Sequence, residues 1–518
     1  MSATPTSAAS TPLDLTVGFT DPIAYHAAIT PGRTAIRDLD RERDFTWAAL
    51  DALVSRAAGM LLSMLGDTVG ERVAVLMRNN VEQIALQFAC GRVGAIFVPM
   101  NWRLTGPELA LVAQDATPRV VFYDADFDAV LPCIENLGAT LIETGGMLAR
   151  LDSAAPAPPR PLTDPDAPST LLYTSGTTGL PKGVIITARN AAASSANYGL
   201  GNRVGPDSVF LCDMPMFHTV GLYAMTRTSV QHGSLLLLST RFDAERTLAR
   251  LRDPALGVTH FFCVPQMAQM LRLQPSYRPG DLSRLTVFST GGAPHAAAMI
   301  HRWLDEGVYM SDGYGMTETG SGFGMPLDLA KIREKAGSVG LPYIAMAVRV
   351  VDPDGNDVAV GEIGEIWMKG PGVSPGYWNQ PEATAKAFQD GWLRSGDAGR
   401  LDADGYLYLV DRWKDMFISG GENVYPAEVE AAILALNAVA HVAVIGVEDE
   451  KWGEVGVAYI VTAPGHSLDE AAVIAHCRGR IAGYKAPKTV RIVEDLPRTA
   501  SGKVRKDVLR TLHAEGSN

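Results

Sequence analysis

Cysteine is scarce: five in 518 residues, at Cys90, Cys133, Cys212, Cys263 and Cys477, with no C-x-x-C pair. A disulfide framework or a zinc site needs a clustered set, so neither is expected, and the thiols read as free and buried. Positive charge is short as well, with 45 Lys and Arg against 57 Asp and Glu and a formal charge of −12. Nucleic-acid backbones are held by clustered Lys and Arg, so a nucleic-acid partner is not expected, although a local basic pocket for a nucleotide remains open. Long apolar runs are missing too. No stretch approaches the roughly 18 uninterrupted apolar residues of a spanning helix. Met1 to Leu13 is rich in Ser, Thr, Ala and Pro, with no Lys or Arg ahead of an apolar run, and reads as a frayed tail rather than a leader. There is no tandem repeat. The expectation is a soluble, cytoplasmic protein.

What is present is ordinary globular composition, 47% apolar and 20% charged, over a length that calls for two to four domains. Arg72 to Met77 reads as a buried strand, Glu82 to Gly91 as a helix and Gly94 to Pro99 as the next strand. That rhythm indicates βαβ units and a parallel sheet. Six prolines between Ala154 and Pro168 mark an extended connector, read here as a long loop inside one domain. The last hundred or so residues alternate elements over short distances, as in a compact α+β module. Pro426 suits the first turn of a helix with Val429, Ile433 and Leu436 on one face. Strands are expected at His441 to Val447, Val457 to Val461 and Val490 to Val493. Ser467 and Glu470 read as a capping box opening a helix that runs toward Ile481 and stops at Gly483.

The most informative segment joins two strand-like runs, Thr170 to Tyr173 and Val184 to Thr187. Between them stand Thr174, Ser175, Gly176, Thr177, Thr178, Gly179, Leu180, Pro181, Lys182 and Gly183. Glycines turn backbone N–H groups inward, hydroxyls donate, and Lys182 adds a cation, which together make a cradle for a polyphosphate. A Walker loop requires a helix directly after its lysine, and here Gly183 and a strand follow.

This segment resembles the phosphate-loop signature of the adenylate-forming superfamily, which includes acyl-CoA synthetases, aryl-CoA ligases, luciferases and peptide-synthetase adenylation domains. Further motifs appear in the family's order, so the resemblance covers nearly the whole chain. Ser289 to Pro294 looks like the adenine-binding turn, with Gly291, Gly292, Ala293 and Pro294 against the base. Gly313, Tyr314, Gly315, Met316, Thr317 and Glu318 resemble the motif in which the tyrosine stacks on adenine, the threonine contacts the α-phosphate and the glutamate holds Mg²⁺. Asp397, in Trp392 to Asp397, would accept from the ribose hydroxyls. Asp411 to Asp415 looks like the start of an interdomain hinge, with Arg412 on the nucleotide and Lys414 at the pivot. Ser419, Gly420 and Gly421, leading to Glu422 and Asn423, are typical of members that use CoA. Pro497 to Lys503 resembles the catalytic-lysine loop, with Lys503 bridging the substrate carboxylate and the α-phosphate. Trp452 and Tyr484 would sandwich the adenine of CoA, with Lys485 and Lys488 on its phosphates.

The resemblance implies an α/β fold. A large N-terminal domain of βαβ subdomains with a distorted β-barrel (1–410) binds acid and ATP, a hinge spans 411–414, and a small mobile C-terminal α+β domain (415–518) carries the catalytic lysine. It implies an AMP-forming acid–CoA ligase using ATP, Mg²⁺ and CoA. A carboxylate is activated as its adenylate while pyrophosphate departs into the Thr174–Lys182 loop, and the CoA thiol then attacks. One geometry cannot serve both steps, so a swing about Lys414 is expected. His218 sits where the family places a residue between acyl pocket and thiol tunnel, as a gate or a structural histidine. The pocket is expected along His218 to Ala224, Val264 to Met267, Gly291 to Ala293 and Gly313 to Gly322. Small Gly320, Ser321 and Gly322 suggest room for a long or aromatic acid. Asp312 departs from the Gln or Asn expected before Gly313. The likeness is closest to medium-chain acyl-CoA synthetases and feruloyl-CoA-type ligases, which the residues do not separate. Transfer to a carrier protein and a non-catalytic nucleotide-binding homologue are the rivals; the chain's end soon after Lys503 and its intact lysine and loop weigh against them. A homodimer is among the assemblies the sequence allows.

Overall fold

The computed structural model describes the chain except residues 1–20, 67, 136–137, 158–163, 176–180, 293–294, 413–414, 420–421, 451, 499–503 and 516–518. Four sheets organise the described residues. The first has six strands in the order Thr140–Glu143, Val120–Tyr123, Arg72–Leu76, Ile96–Pro99, Pro168–Ser175, Pro181–Thr187. Its first five strands run parallel and the last pair closes as an antiparallel hairpin. The central strands read Arg-Val-Ala-Val-Leu and Ile-Phe-Val-Pro because helices cover both faces and leave no polar side. The expected strand–helix–strand unit is there, with its helix at Val81–Val93 capped by Asn80 and ended by left-handed Gly94.

The second sheet has nine strands. Thr34–Asp38, Leu235–Leu238, Val209–Cys212, His260–Cys263, Val287–Thr290 and Met310–Met316 form its parallel part, and Gly320–Gly324 turns back antiparallel on the last of these. The adenine-turn and Tyr314 motifs thus leave the carboxyl ends of neighbouring parallel strands, where ligand clefts form in such sheets. A third, antiparallel sheet is built from Ala347–Val351, Gly364–Lys369, Phe388–Gln389, Trp392–Leu401 and Leu407–Arg412. The fourth carries Val439–Asp449 and Gly453–Thr462 flanked by Phe417–Ser419, Glu422–Val424 and Thr489–Ile492, with its own core around Phe417, Val429, Ile433, Val444 and Val473.

At the start of the Pro-rich stretch, Ala157 is buried and its N–H donates to the Ser55 carbonyl at 2.9 Å. Ser55 belongs to Trp47–Leu65, a helix of 19 residues that is apolar enough by length and composition to cross a membrane. Leu50, Val54, Ala57 and Leu61 of that helix are fully buried in one core with Ala157.

Two local expectations are corrected. The helix expected from Ser467 is Glu470–Arg478, and its cap is Asp469, which accepts from the Ala472 N–H at 3.0 Å. A carboxylate two residues nearer the helix displaces the hydroxyl, and Glu470 is then free to accept from the Val490 N–H at 2.8 Å. The helix stops at Arg478 rather than near Gly483, because the Arg480 and Ile481 N–H groups turn back onto the Cys477 carbonyl. The helix at Pro426 ends at Leu434, so Leu436 packs against the core from beyond it.

Candidate active site

The hairpin of the first sheet sets the register of the hydroxyl-rich loop. Thr174 lies opposite Lys182, and Tyr173 opposite Gly183. The Tyr173 hydroxyl donates to Asp115 at 2.6 Å, anchoring the first strand of the hairpin. Lys182 reaches over the ring of Tyr377, its Nζ 5.0 Å from the centroid. The Tyr377 hydroxyl donates to Glu318 Oε1 at 2.8 Å, and the Glu318 carbonyl accepts from Ser374 N–H at 2.7 Å. Burial, and then the Glu318 carboxylate, hold the Tyr377 hydroxyl far above its usual range, so it stays a donor. Glu318 itself is only 8% exposed. Cation, ring and carboxylate therefore stand in one line of contacts that joins two motifs 136 residues apart (318 − 182).

The nucleotide motifs converge beside this line. Tyr314 donates to Asp397 Oδ2 at 2.6 Å, and Asp397 lies opposite Arg412 across antiparallel strands. Thr317 Oγ1 is 3.5 Å from Thr219 Oγ1, the residue after His218, and the His218 ring is tilted against Phe217 at 57°. Gly291, Gly292 and Gly313 to Met316 line one cavity with Thr219, Val220 and Ala224. Met267, expected on that wall, packs instead on the core around Phe261 and Leu271.

The same cavity has a polar part: Tyr198, Asn202, Ser289, Asp312 and Tyr343 all line it. Asp312 is 3% exposed, and burial raises its carboxyl to about 8 against a hydrogen bond from Thr290 Oγ1 at 3.0 Å. His295 lies 3.0 Å from the same Thr290 hydroxyl and is lowered to about 4 by burial. With Thr290 donating to Asp312, the neutral His295 must present its Nδ1–H to Thr290.

Other expected residues lie elsewhere or beyond description. Ser419 is buried opposite Gly453 in the fourth sheet. Trp452 and Tyr484 are 41% and 36% exposed. Lys485 is bound to Glu428 at 2.8 Å and Lys488 to Asp449, so a phosphate would compete with carboxylates for both. Gly176, Thr177, Thr178, Gly179, Ala293, Pro294, Lys414, Gly420, Gly421 and Lys503, and the side chains of Ser175 and Arg412, fall outside the described residues. Among the described residues no group of three or more His, Cys, Asp or Glu gathers as a metal site.

Residues 23–378 match the model of the AMP-binding enzyme family, and 428–503 match that of the AMP-binding enzyme C-terminal domain. The chain belongs to the AMP-binding enzyme family. This AMP-binding enzyme is 40% identical to a feruloyl-CoA synthase of Amycolatopsis sp, over 93% of its own length and 96% of the relative's. An indoleacetate–CoA ligase of Aromatoleum aromaticum is 38% identical over 95% and 97%. A long-chain-fatty-acid–CoA ligase, FadD13 of Mycobacterium tuberculosis, is 36% identical over 94% and 97%. ATP-bound MatB from Rhodopseudomonas palustris superposes with a TM-score of 0.88 at 32% identity, covering 95% of this chain and 99% of that one. Membership together with these ligases makes the AMP-binding enzyme an acid–thiol ligase.

The motif reading missed Tyr377, which joins Lys182 to Glu318, and the polar residues Tyr198, Asn202 and Tyr343. The only signal for the first was an aromatic pair, Tyr377 and Trp378, after a Pro- and Gly-rich stretch. Nothing in the sequence marked the others.

Proposed function

We propose that this AMP-binding enzyme activates a hydrophobic carboxylic acid, fatty or hydroxycinnamate-type, as its acyl-adenylate and passes the acyl group to CoA. The observation that carries this is the Lys182–Tyr377–Glu318 line: a cation of the hairpin over the face of one ring and a buried carboxylate on that ring's hydroxyl. A triphosphate lying along it meets Lys182 at the departing pyrophosphate. Tyr377 keeps both groups aimed before substrate arrives, so little reorganisation accompanies charge build-up. Tyr314 and Asp397 offer a ring for the base and a carboxylate for the ribose.

One buried carboxylate with phosphate oxygens fits Mg²⁺, which is held by one or two carboxylates plus substrate phosphates. Glu318 would hold it, and the ion would neutralise charge on the phosphates when bound. Lys503 is the residue proposed to bridge the acid and the α-phosphate. The 411–414 segment is the proposed hinge between 1–410 and 415–518, pivoting at Lys414. Trp452, Tyr484, Lys485 and Lys488 are the proposed CoA contacts, and the cytoplasm the proposed location. The feruloyl, indoleacetate and fatty-acid names of the relatives support a hydrophobic acid.

Incubation with ATP, Mg²⁺, hydroxylamine and a panel of aromatic and fatty acids tests the reading. A hydroxamate should form with a subset of acids, and CoA, not a carrier protein, should replace hydroxylamine as acceptor. No hydroxamate with any acid, or transfer to the carrier alone, refutes it.

A further inference from the structure

We propose that Tyr343 is the end wall of the acid pocket, selecting an acid with a ring on a short arm and an oxygen acceptor at the end remote from its carboxylate. This rests on the ligase reading above, whose pocket it describes.

The helix Ala188–Gly201 works as a ruler along the cavity. It begins where the strand bearing Lys182 ends. Its Asn190 donates to the carbonyls of Pro371 and Val373, both at 2.8 Å, next to the Ser374 that binds Glu318. One turn on, Ser194 Oγ accepts from Ser321 N–H at 3.0 Å. Tyr198 then donates to Ser289 Oγ at 3.2 Å, and Asn202, the C-cap, donates to the Tyr343 hydroxyl at 3.2 Å. The contacts thus run in order from the phosphate side to Tyr343. At 1.5 Å per residue, Asn202 lies about 12 Å beyond Ser194. That span suits a ring on a short arm and stops short of an extended long acyl chain.

Tyr343 is wedged. A side chain at Gly201 would collide with its ring, and one at Gly324 with its hydroxyl, so both neighbours must lack a Cβ. On either side of this contact in sequence, Leu200 is 66% and Ile344 87% exposed. The ring, which lines the cavity, therefore lies beside exposed apolar residues. The hydroxyl accepts from Asn202 and retains its own proton. Among the described residues nothing accepts that proton. A phenol, ether or carbonyl oxygen on the acid would take it, whereas a hydrocarbon terminus would leave a buried donor unmet.

The test measures acid-dependent ATP–pyrophosphate exchange for the wild type, Tyr343→Phe and Tyr343→Ala with 4-hydroxycinnamate, cinnamate and hexadecanoate. Wild type should favour 4-hydroxycinnamate over cinnamate by about tenfold in kcat/KM, one hydrogen bond's worth. Tyr343→Phe, which keeps the wall, should erase that preference and still exclude hexadecanoate. Tyr343→Ala should admit hexadecanoate; if it does not fold, Tyr343→Phe carries the test alone. An undiminished preference in Tyr343→Phe, or a wild-type preference for hexadecanoate, overturns the proposal while leaving the ligase reading intact. No exchange with any of a wider panel of acids removes the ligase reading itself.

Discussion

At the scale of single residues, contacts that cross between motifs carry the account, and those were the hardest to read in the chain. Lys182 and Glu318 were legible as site residues because each sits in an ordered motif. Tyr377 was not, because its position between them exists only after three segments fold together. Tyr377→Phe should keep the ring under Lys182 and free the Glu318 carboxylate, lowering kcat for adenylate formation about tenfold with KM for the acid unchanged. Steady-state pyrophosphate exchange reads both parameters. Asp312 makes a different prediction. Its carboxyl is raised to about 8 by burial, well above its unfolded value, so the folded protein holds the proton more tightly. Its contribution to stability is complete below the unfolded pKa, near 4, and is lost as pH rises to about 8, at no more than about 1.4 kcal/mol per pH unit. Asp312→Asn should remove this slope, leaving the variant more stable than wild type at pH 8; denaturant titrations from pH 5 to 8 measure it.

At the scale of elements, strands bounded by charge or glycine were legible because a parallel sheet buried on both faces leaves an unbroken apolar run, as in Arg72–Leu76. Helix ends were less so. Ser467 and Glu470 satisfied the spacing rule for a capping box, yet Asp469 took the cap because the Val490 strand needed Glu470 as an acceptor. Spacing describes one helix, and the competing acceptor belongs to another element. Asp469→Ala should destabilise the fourth sheet's module by about 1 kcal/mol, seen as a lower unfolding midpoint with adenylation intact. Ser467→Ala should change neither. The polar far end of the cavity was illegible for a related reason: Tyr198, Asn202, Ser289 and Tyr343 come from a helix, its cap, a strand and a loop, with no spacing in common.

At the scale of the whole molecule, the motif order along the chain disclosed the family and its α/β architecture before any coordinates. The proposed division of labour between main body and tail module adds a kinetic prediction. Lys503→Ala should abolish adenylate formation while sparing thioester formation from a supplied acyl-adenylate. Lys414→Pro should do the reverse by stiffening the pivot. Single-turnover assays of each half-reaction separate the two, and equal loss in both half-reactions for either variant would contradict a two-geometry cycle. The central claim is that the hairpin and the Tyr377–Glu318 pair form one triphosphate site. The most direct measurement is pyrophosphate exchange into ATP without CoA, for the wild type and Lys182→Ala. The account predicts exchange that requires the acid and falls by about a hundredfold or more in the variant. Exchange that proceeds without acid, or that is untouched by losing Lys182, would contradict it.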